Sequence, residues 1–389
     1  MRERGLVREC ARIVVKVGSS LLTEGASGKL RWDWLRSLAM DVARLKQGGC
    51  EVLIVSSGAI ALGRGHLGIR RSSLKLEEKQ ASAAVGQILL ANGYKEVFGA
   101  CQLTVAQLLL TLGDTEQRRQ YLNARNTMET LLHLDAIPLI NENDTVTTEE
   151  IRFGDNDRLA ARVAEMANSD LLILLSDIDG LYTKDPRLGS DATHISVVEE
   201  ITQAIESMAG PSQSDIGSGG MSTKIQAAKI ATAAGCNVII ASGSSGRILS
   251  ELDTDGRHTW FSAKRSPLTA RKRWIANNLK PGGCLIIDKG AHQALLVGKS
   301  LLPAGVLRAT GGFDRGDGVS IIGFSGEKIG VGISAYSSSD IDRIRGHKTS
   351  EIAAILSYAG REEVVHRKDL VLEREMTGKH NAEGESSAR

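Results

Sequence analysis

One alternation constrains this chain more than any count of its residues. Through the first 250 residues, short apolar, β-branched runs are separated by stretches with helical spacing. The runs are ARIVVKVG (11–18), CEVLIVSSGA (50–59), QLTVAQLLL (102–110, a strand or strand edge), AIPLINEND (136–144), SDLLILLSD (169–177) and CNVIIASG (236–243). Residues 31–47, 80–99, 117–134, 157–167 and 221–234 read as helices, the first stopped by Gly48-Gly49. Strands that are apolar on both faces must be covered on both faces. The pattern predicts an α/β fold, a three-layer sandwich with a mainly parallel central sheet. Ligands of such sheets sit beyond the carboxyl ends of the strands. Four polar clusters fall at that address: Lys16-Val17-Gly18-Ser19-Ser20, Ser56-Ser57-Gly58, Asn141-Glu142-Asn143-Asp144 and Ser176-Asp177.

After about residue 255 the pattern changes. Lys264, Arg265, Arg271, Lys272 and Arg273 fall in one acid-free stretch flanked by Trp260 and Trp274, and 259–279 reads as a basic linker. Beyond it CLIID, ALLVG, GVLRATGGF, GVSIIGF and KIGVGIS repeat with period 2 and close on glycine. That predicts a small C-terminal β-barrel over 280–360, with short helices at 340–345 and 350–358. The first domain then spans 8–258. Residues 361–389 read as a charged tail whose end, HNAEGESSAR, is expected to be disordered.

Charge and cysteines narrow the function classes. Lys and Arg number 48 against 46 Asp and Glu, so no global basic excess marks a nucleic-acid coat protein. The five cysteines include no CxxC pair and fit reduced thiols in a cytoplasmic protein. No apolar core follows MRERGLVREC as in a secretory leader, and no run is long enough to span a membrane.

Lys16 interrupts the apolar strand IVVKVG, where an unpartnered buried ammonium would be costly. Either it snorkels to solvent from a strand end, or it is aimed at a phosphate beside the Gly18-Ser19-Ser20 backbone. GSGGMSTKIQAAKIA (217–231) runs from small residues straight into a helix, so free N–H groups and the positive end of the dipole face one point. It is not a P-loop, because Ser222-Thr223 precede Lys224 rather than follow it; an N-capped flexible loop is the alternative. In INENDTVTTEEIRFGDNDRLA (140–160), two Asx clusters flank one loop. They serve as turn and helix caps, or they hold an ammonium and a carboxylate. LLSDIDGLYTKDPR (174–187) leaves a strand through Ser176-Asp177 and is either a plain exit loop or a wrap around a nucleobase.

Taken in order, VVKVGSS (14–20), VSSGAIALG (55–63), YLNARNT (121–127), INENDTV (140–146), FGDNDRLA (153–160), LLSDIDGLYTKDPR (174–187) and GSGGMSTKIQAA (217–228) resemble the amino acid kinase superfamily. KRWI (272–275), SLLPAGV (300–306) and GHKTSEI (346–352) extend the likeness into a part that looks like a PUA domain. The resemblance covers roughly 8–370 and is closest to members that phosphorylate the side-chain carboxylate of L-glutamate. It implies an amino acid kinase fold and a catalytic set of Lys16, Lys224 and Asp157. ATP is implied at Lys16, Ser176, Asp177, Ser218, Gly219, Gly220, Met221, Ser222, Thr223 and Lys224, and glutamate at Ser57, Asp144 and Asn156. It also implies ATP as co-substrate with Mg2+ and no dedicated metal site. Further implications are the first step of proline biosynthesis with feedback by proline, a homo-oligomer, and hand-off of the product to glutamyl phosphate reductase. Ser176 stands where threonine is familiar, and the last residues lie outside the likeness.

Two rivals differ in a readable way. A kinase of aspartate or N-acetylglutamate would need another amino-acid loop than INEND with GDND. RNA binding would rest on the PUA-like part, which has no aromatic stacking stripe, or on the basic stretch 264–273, the stronger nucleic-acid candidate.

Overall fold

Eight strands form the central sheet. In chain order they are β1 (Arg12–Val17), β2 (Glu51–Ser56), β3 (Val105–Leu110), β4 (Ile137–Glu142), β5 (Leu171–Ser176), β6 (Val197–Val198), β7 (Asn237–Ser242) and β8 (His258–Phe261). Their spatial order is β6-β8-β7-β5-β1-β2-β4-β3. The six strands from β7 to β3 run parallel, as the alternation predicts. At the other edge β8 turns antiparallel to β7 and carries β6. The computed structural model describes residues 7–25, 28–70, 73–146, 156–187, 191–209, 220–244, 248–254, 256–358, 360–373 and 375. The chain divides into two compact units, Met1–Pro267 and Leu268–Arg389.

The period of two decides which side chain enters which layer. In β1, Ile13, Val15 and Val17 join one core while Val14 joins the other. All four are fully buried, worth roughly 1.5–3 kcal/mol apiece. On the first face lie α1 (Trp32–Gln47), α2 (Ala59–His66) and α3 (Leu76–Ala100). On the second lie α4 (Arg118–His133), α5 (Asn156–Ala167) and α6 (Met221–Ala233). α1 shows why such segments are helices here: Trp34, Leu35, Leu38, Ala39 and Val42 form one buried stripe, and Gly48-Gly49 ends it, with Gly49 at φ 85°. α2 and α3 touch backbone to backbone. A Cβ on Gly63 would overlap the Ser82 carbonyl, and one on Gly86 would overlap the Ala59 carbonyl.

The second unit holds a five-stranded mixed sheet: β9 (Pro281–Ile287), β10 (Val306–Gly311), β11 (Gly318–Ile322), β12 (Lys328–Ile333) and β13 (Leu370–Leu372). The order is β10-β9-β11-β12-β13, over a core that includes Leu285, Ile287, Val319 and Ile321. Among the described residues no ladder joins β10 to β13, so the expected barrel is a sheet whose two edges are not paired with each other. The short helices fall at Ser338–Ile344, capped by Ser337, and at Ile352–Leu356.

Domain boundaries differ from those read in the sequence. The stretch 259–279 is not a linker: it holds β8, with Trp260 and Phe261 buried, and a helix at Pro267–Asn278. Four strand residues among charges are too few to show a period, and the strand forms because β7 leaves an edge to pair with. β13 likewise lies inside the segment read as tail, where LVL completes an edge beside β12. The basic residues are largely matched within each unit. Lys264 meets Glu200 at 3.1 Å, Arg271 meets Asp369 at 2.6 Å, and Lys272 meets Glu375 at 2.7 Å. Among the described residues no helix is long and apolar enough to cross a membrane.

Candidate active site

Lys16 is the last-but-one residue of β1 and shares the face of Val14, so its stem runs toward α5 and α6 at the carboxyl end of the sheet. It is 5 % exposed, so it does not snorkel to solvent. Its Nζ lies 2.6 Å from Oδ1 of Asp157, in the first turn of α5. The other carboxylate oxygen, Oδ2, is 3.2 Å from Nζ of Lys224, in the first turns of α6. The Thr223 hydroxyl is 2.9 Å from the same oxygen. Burial alone would raise the Asp157 carboxyl, but Lys16 and Lys224 overcome it and hold it at about 2.

Two buried ammonium groups thus share one carboxylate. The trio carries a net positive charge in a place nearly closed to water. Buried ions persist only when matched, so the local balance favours a further anion. The start of α6 adds to this. Gly220 caps it with extended backbone, and the N–H groups of its first turn have no partner within the helix. Ser176 stands at the tip of β5, its carbonyl accepting from the Gly243 N–H at 2.8 Å and its hydroxyl 3.1 Å from Asp177 Oδ1. Asp177 itself is exposed.

Next to the lysines lies a cluster of neutral hydrogen-bonding groups. Asn156, one residue before Asp157, is 6 % exposed. Its Nδ2 lies 2.7 Å from Ser57 Oγ, 3.1 Å from the Ser56 carbonyl and 3.1 Å from Asn141 Oδ1. Gly58, at φ 103°, makes the turn that leaves Ser57 at the strand tip before α2 begins. Asp144, two residues beyond β4, is half-buried, and burial pushes its carboxyl up to about 6.

Of the residues singled out in the sequence, the structure brings together Lys16, Asp157, Thr223 and Lys224 in one group and Ser57 with Asn156 in the adjoining one. Gly220 caps α6 and Met221 and Ser222 begin it, Ser176 ends β5 and Asp177 follows it, and Asp144 follows β4, all at the same edge. Ser218 and Gly219 lie outside the described residues. Sequence reading missed Gln87, which accepts from Asn141 Nδ2 at 2.7 Å, because nothing in α3 sets it apart. Among the described residues no group of His, Cys, Asp or Glu is arranged to hold a metal ion. Nor are any of the five cysteines bridged, and burial raises the thiols of Cys10 and Cys50 to about 12.

Comparison with known proteins agrees with this layout. The profile of the amino acid kinase family matches residues 11–242, and that of the PUA domain matches 283–356. A glutamate 5-kinase of Rhodopseudomonas palustris (strain BisB5) is 55% identical over 369 residues, covering 95% of this chain and 98% of the relative. One from Bradyrhizobium sp. (strain BTAi1) is 56% identical over 361 residues, 93% and 96% of the two chains. Glutamate 5-kinase 1 of Rhizobium meliloti (strain 1021) is 54% identical over 371 residues, 95% and 94% of the two chains.

Proposed function

Because the chain belongs to the amino acid kinase family, we propose that it transfers the γ-phosphoryl group of ATP to the side-chain carboxylate of L-glutamate, the first step of proline biosynthesis. One observation carries this reading: Lys16 and Lys224, from opposite ends of the first unit's sequence, meet on the two oxygens of Asp157 beside the Asn156–Ser57 cluster.

The chemistry asks for charge and position rather than proton transfer. The acceptor carboxylate is ionised at neutral pH, so no general base is needed. An oxygen of that carboxylate forms the new bond to phosphorus as the bond to the β,γ-bridging oxygen breaks, and ADP leaves with the electron pair. The obstacle is repulsion between two anions, about 4 kcal/mol for one unit-charge pair at ~4 Å and an effective dielectric near 20. Lys16 and Lys224 oppose it, and the α6 N–H groups point at the charge that spreads over the transferring group. Asp157 keeps the two ammonium groups apart and aimed. Asn156, Ser57 and Asp144 hold the amino acid, with Asp144 as counter-charge to its ammonium. Both Asp157 oxygens are engaged by lysines, so Mg2+ would be held chiefly by the triphosphate, where it neutralises phosphate charge.

The product is a labile acyl phosphate, which supports hand-off to a reductase. Feedback by proline and assembly into a homo-oligomer rest on the family likeness. Incubation with ATP, Mg2+ and glutamate in the presence of hydroxylamine should trap a hydroxamate. Aspartate and N-acetylglutamate should give little. Trapping with either of those instead of glutamate would overturn the substrate assignment.

A further inference from the structure

The amide groups around Asn156 do not stop at the ligand edge. Asn156 Nδ2 reaches Asn141 Oδ1 at 3.1 Å, and Asn141 Nδ2 reaches Gln87 Oε1 at 2.7 Å. Asn141 Oδ1 also accepts from the Glu142 N–H at 2.9 Å. The string crosses the sheet. Asn156 belongs to the layer of α5, whereas Asn141 shares the face of Ile137 and Leu139 and meets Gln87 on α3 in the opposite layer. Gln87 is held there by its neighbour: Gly86 packs its Cα against the Ala59 carbonyl of α2, so α3 cannot slide without a backbone clash.

The polarity of the string is fixed at one end. Among the described residues, the three acceptors bonded to Asn156 (the Ser56 carbonyl, Ser57 Oγ and Asn141 Oδ1) all face its Nδ2. Its Oδ1 is buried without a hydrogen-bond partner. That leaves an unpaired acceptor on a residue of the proposed amino-acid site, of the kind a ligand ammonium would satisfy. The Glu142 N–H holds Asn141 Oδ1 in place, and Gln87 Oε1 completes the hold by accepting from Asn141 Nδ2. Without it, a buried amide is orphaned, and the cheapest repair is rotation of Asn141 with loss of the bond to Asn156.

The geometry points to Gln87 as a positioning residue for amino-acid binding: from the far layer, through Asn141, it steadies the Asn156 amide that the Ser56 carbonyl and Ser57 Oγ orient. This rests on the reading that the amino acid binds at Asn156. Gln87 touches neither substrate.

The test uses the full chain and three substitutions assayed with ATP and glutamate. Gln87→Met keeps the volume and removes the acceptor; it should raise the glutamate KM about tenfold. The ATP KM should stay within about twofold, because Lys16, Asp157 and Lys224 are not part of the string. Gln87→Glu restores an acceptor and should bring the glutamate KM back to within about threefold of the unsubstituted chain. Gln87→Asn withdraws the amide by one methylene and serves in place of Met should that variant not fold. A glutamate KM unmoved by Gln87→Met or Gln87→Asn overturns the relay, as does a rise shared equally by both substrates. An unsubstituted chain inert toward glutamate sinks this inference together with the substrate assignment; an active one with an indifferent Gln87→Met sinks the relay alone.

Discussion

β1 carries two buried cations on one face, four residues apart, and their surroundings differ in one respect. Arg12, at the amino end, is 8 % exposed and has carboxylates to spare: Glu51 at 2.7 Å, Glu129 at 2.7 Å, and the Ala167 carbonyl besides. Lys16, at the carboxyl end, has half a carboxylate, since Lys224 holds the other half. The first arrangement is complete without a ligand. In the second, two ammonium groups share one carboxylate. Burial and ion pairing are alike at the two ends, so neither marks function. The ratio of cations to anions does, because an excess of buried positive charge is stable only if an anion comes to meet it.

The widest separation should come from truncating the two cations. Lys16→Ala or Lys224→Ala should lower kcat about 100- to 1,000-fold, the scale of one lost transition-state charge contact. The glutamate KM should move far less, and the fold should survive, since the remaining lysine still pairs with Asp157. A lysine variant with near-normal kcat would take that residue out of the mechanism. Arg12→Ala should do the reverse. Leaving two carboxylates without their cation costs about 3 kcal/mol of stability, read as a lower urea midpoint at unchanged m. The folded fraction should keep its kcat. A large kcat loss there would erase the distinction between the two ends.

A finer contrast lies within the carboxyl edge itself. Asp144→Ala and Asn156→Ala should raise the glutamate KM by about 10- to 100-fold, as expected for a lost charge-assisted or multiply bonded contact. The ATP KM should hold. Unchanged glutamate affinity in both would mean that the INEND loop is structural.

How far the sequence discloses this follows from where each residue sits. Lys16 stands out because one charge breaks a run of β-branched residues, and Ser57, Asp144 and Ser176 because they end such runs. Asn156 and Asp157 are legible as small polar groups at a helix start, and Lys224 as a cation in the first turns of a helix that small residues lead into. That Lys16 and Lys224 share Asp157 is not legible, since α5 and α6 come together only through packing on the sheet. Gln87 is invisible for a related reason. α3 is apolar and small-residue-rich on several sides, and the role of Gln87 depends on Gly86 seating the helix against α2. β8 and β13 are too short for a period, and each is created by the open edge it joins.

The smallest expected effect is a matter of pH, and its sign follows from burial. Desolvation raises the Asp144 carboxyl to about 6, so in the ligand-free site its neutral form persists to higher pH than an ordinary carboxyl's. What stability this contributes is present below the ordinary value of 3.8 and lost as pH rises through about 6. A bound ammonium reverses that preference, because it interacts with the carboxylate and not with the acid. kcat/KM for glutamate should therefore fall on the acid side, to about half at pH 6 and about a tenth at pH 5, since this ratio reports the free enzyme's groups. kcat/KM for ATP, measured at saturating glutamate, should not follow this limb. Asp157 does not interfere, being held at about 2 by its lysines. An acid limb shared by both substrates, or one retained in Asp144→Asn, would assign the titration to another group and remove Asp144 as the counter-charge.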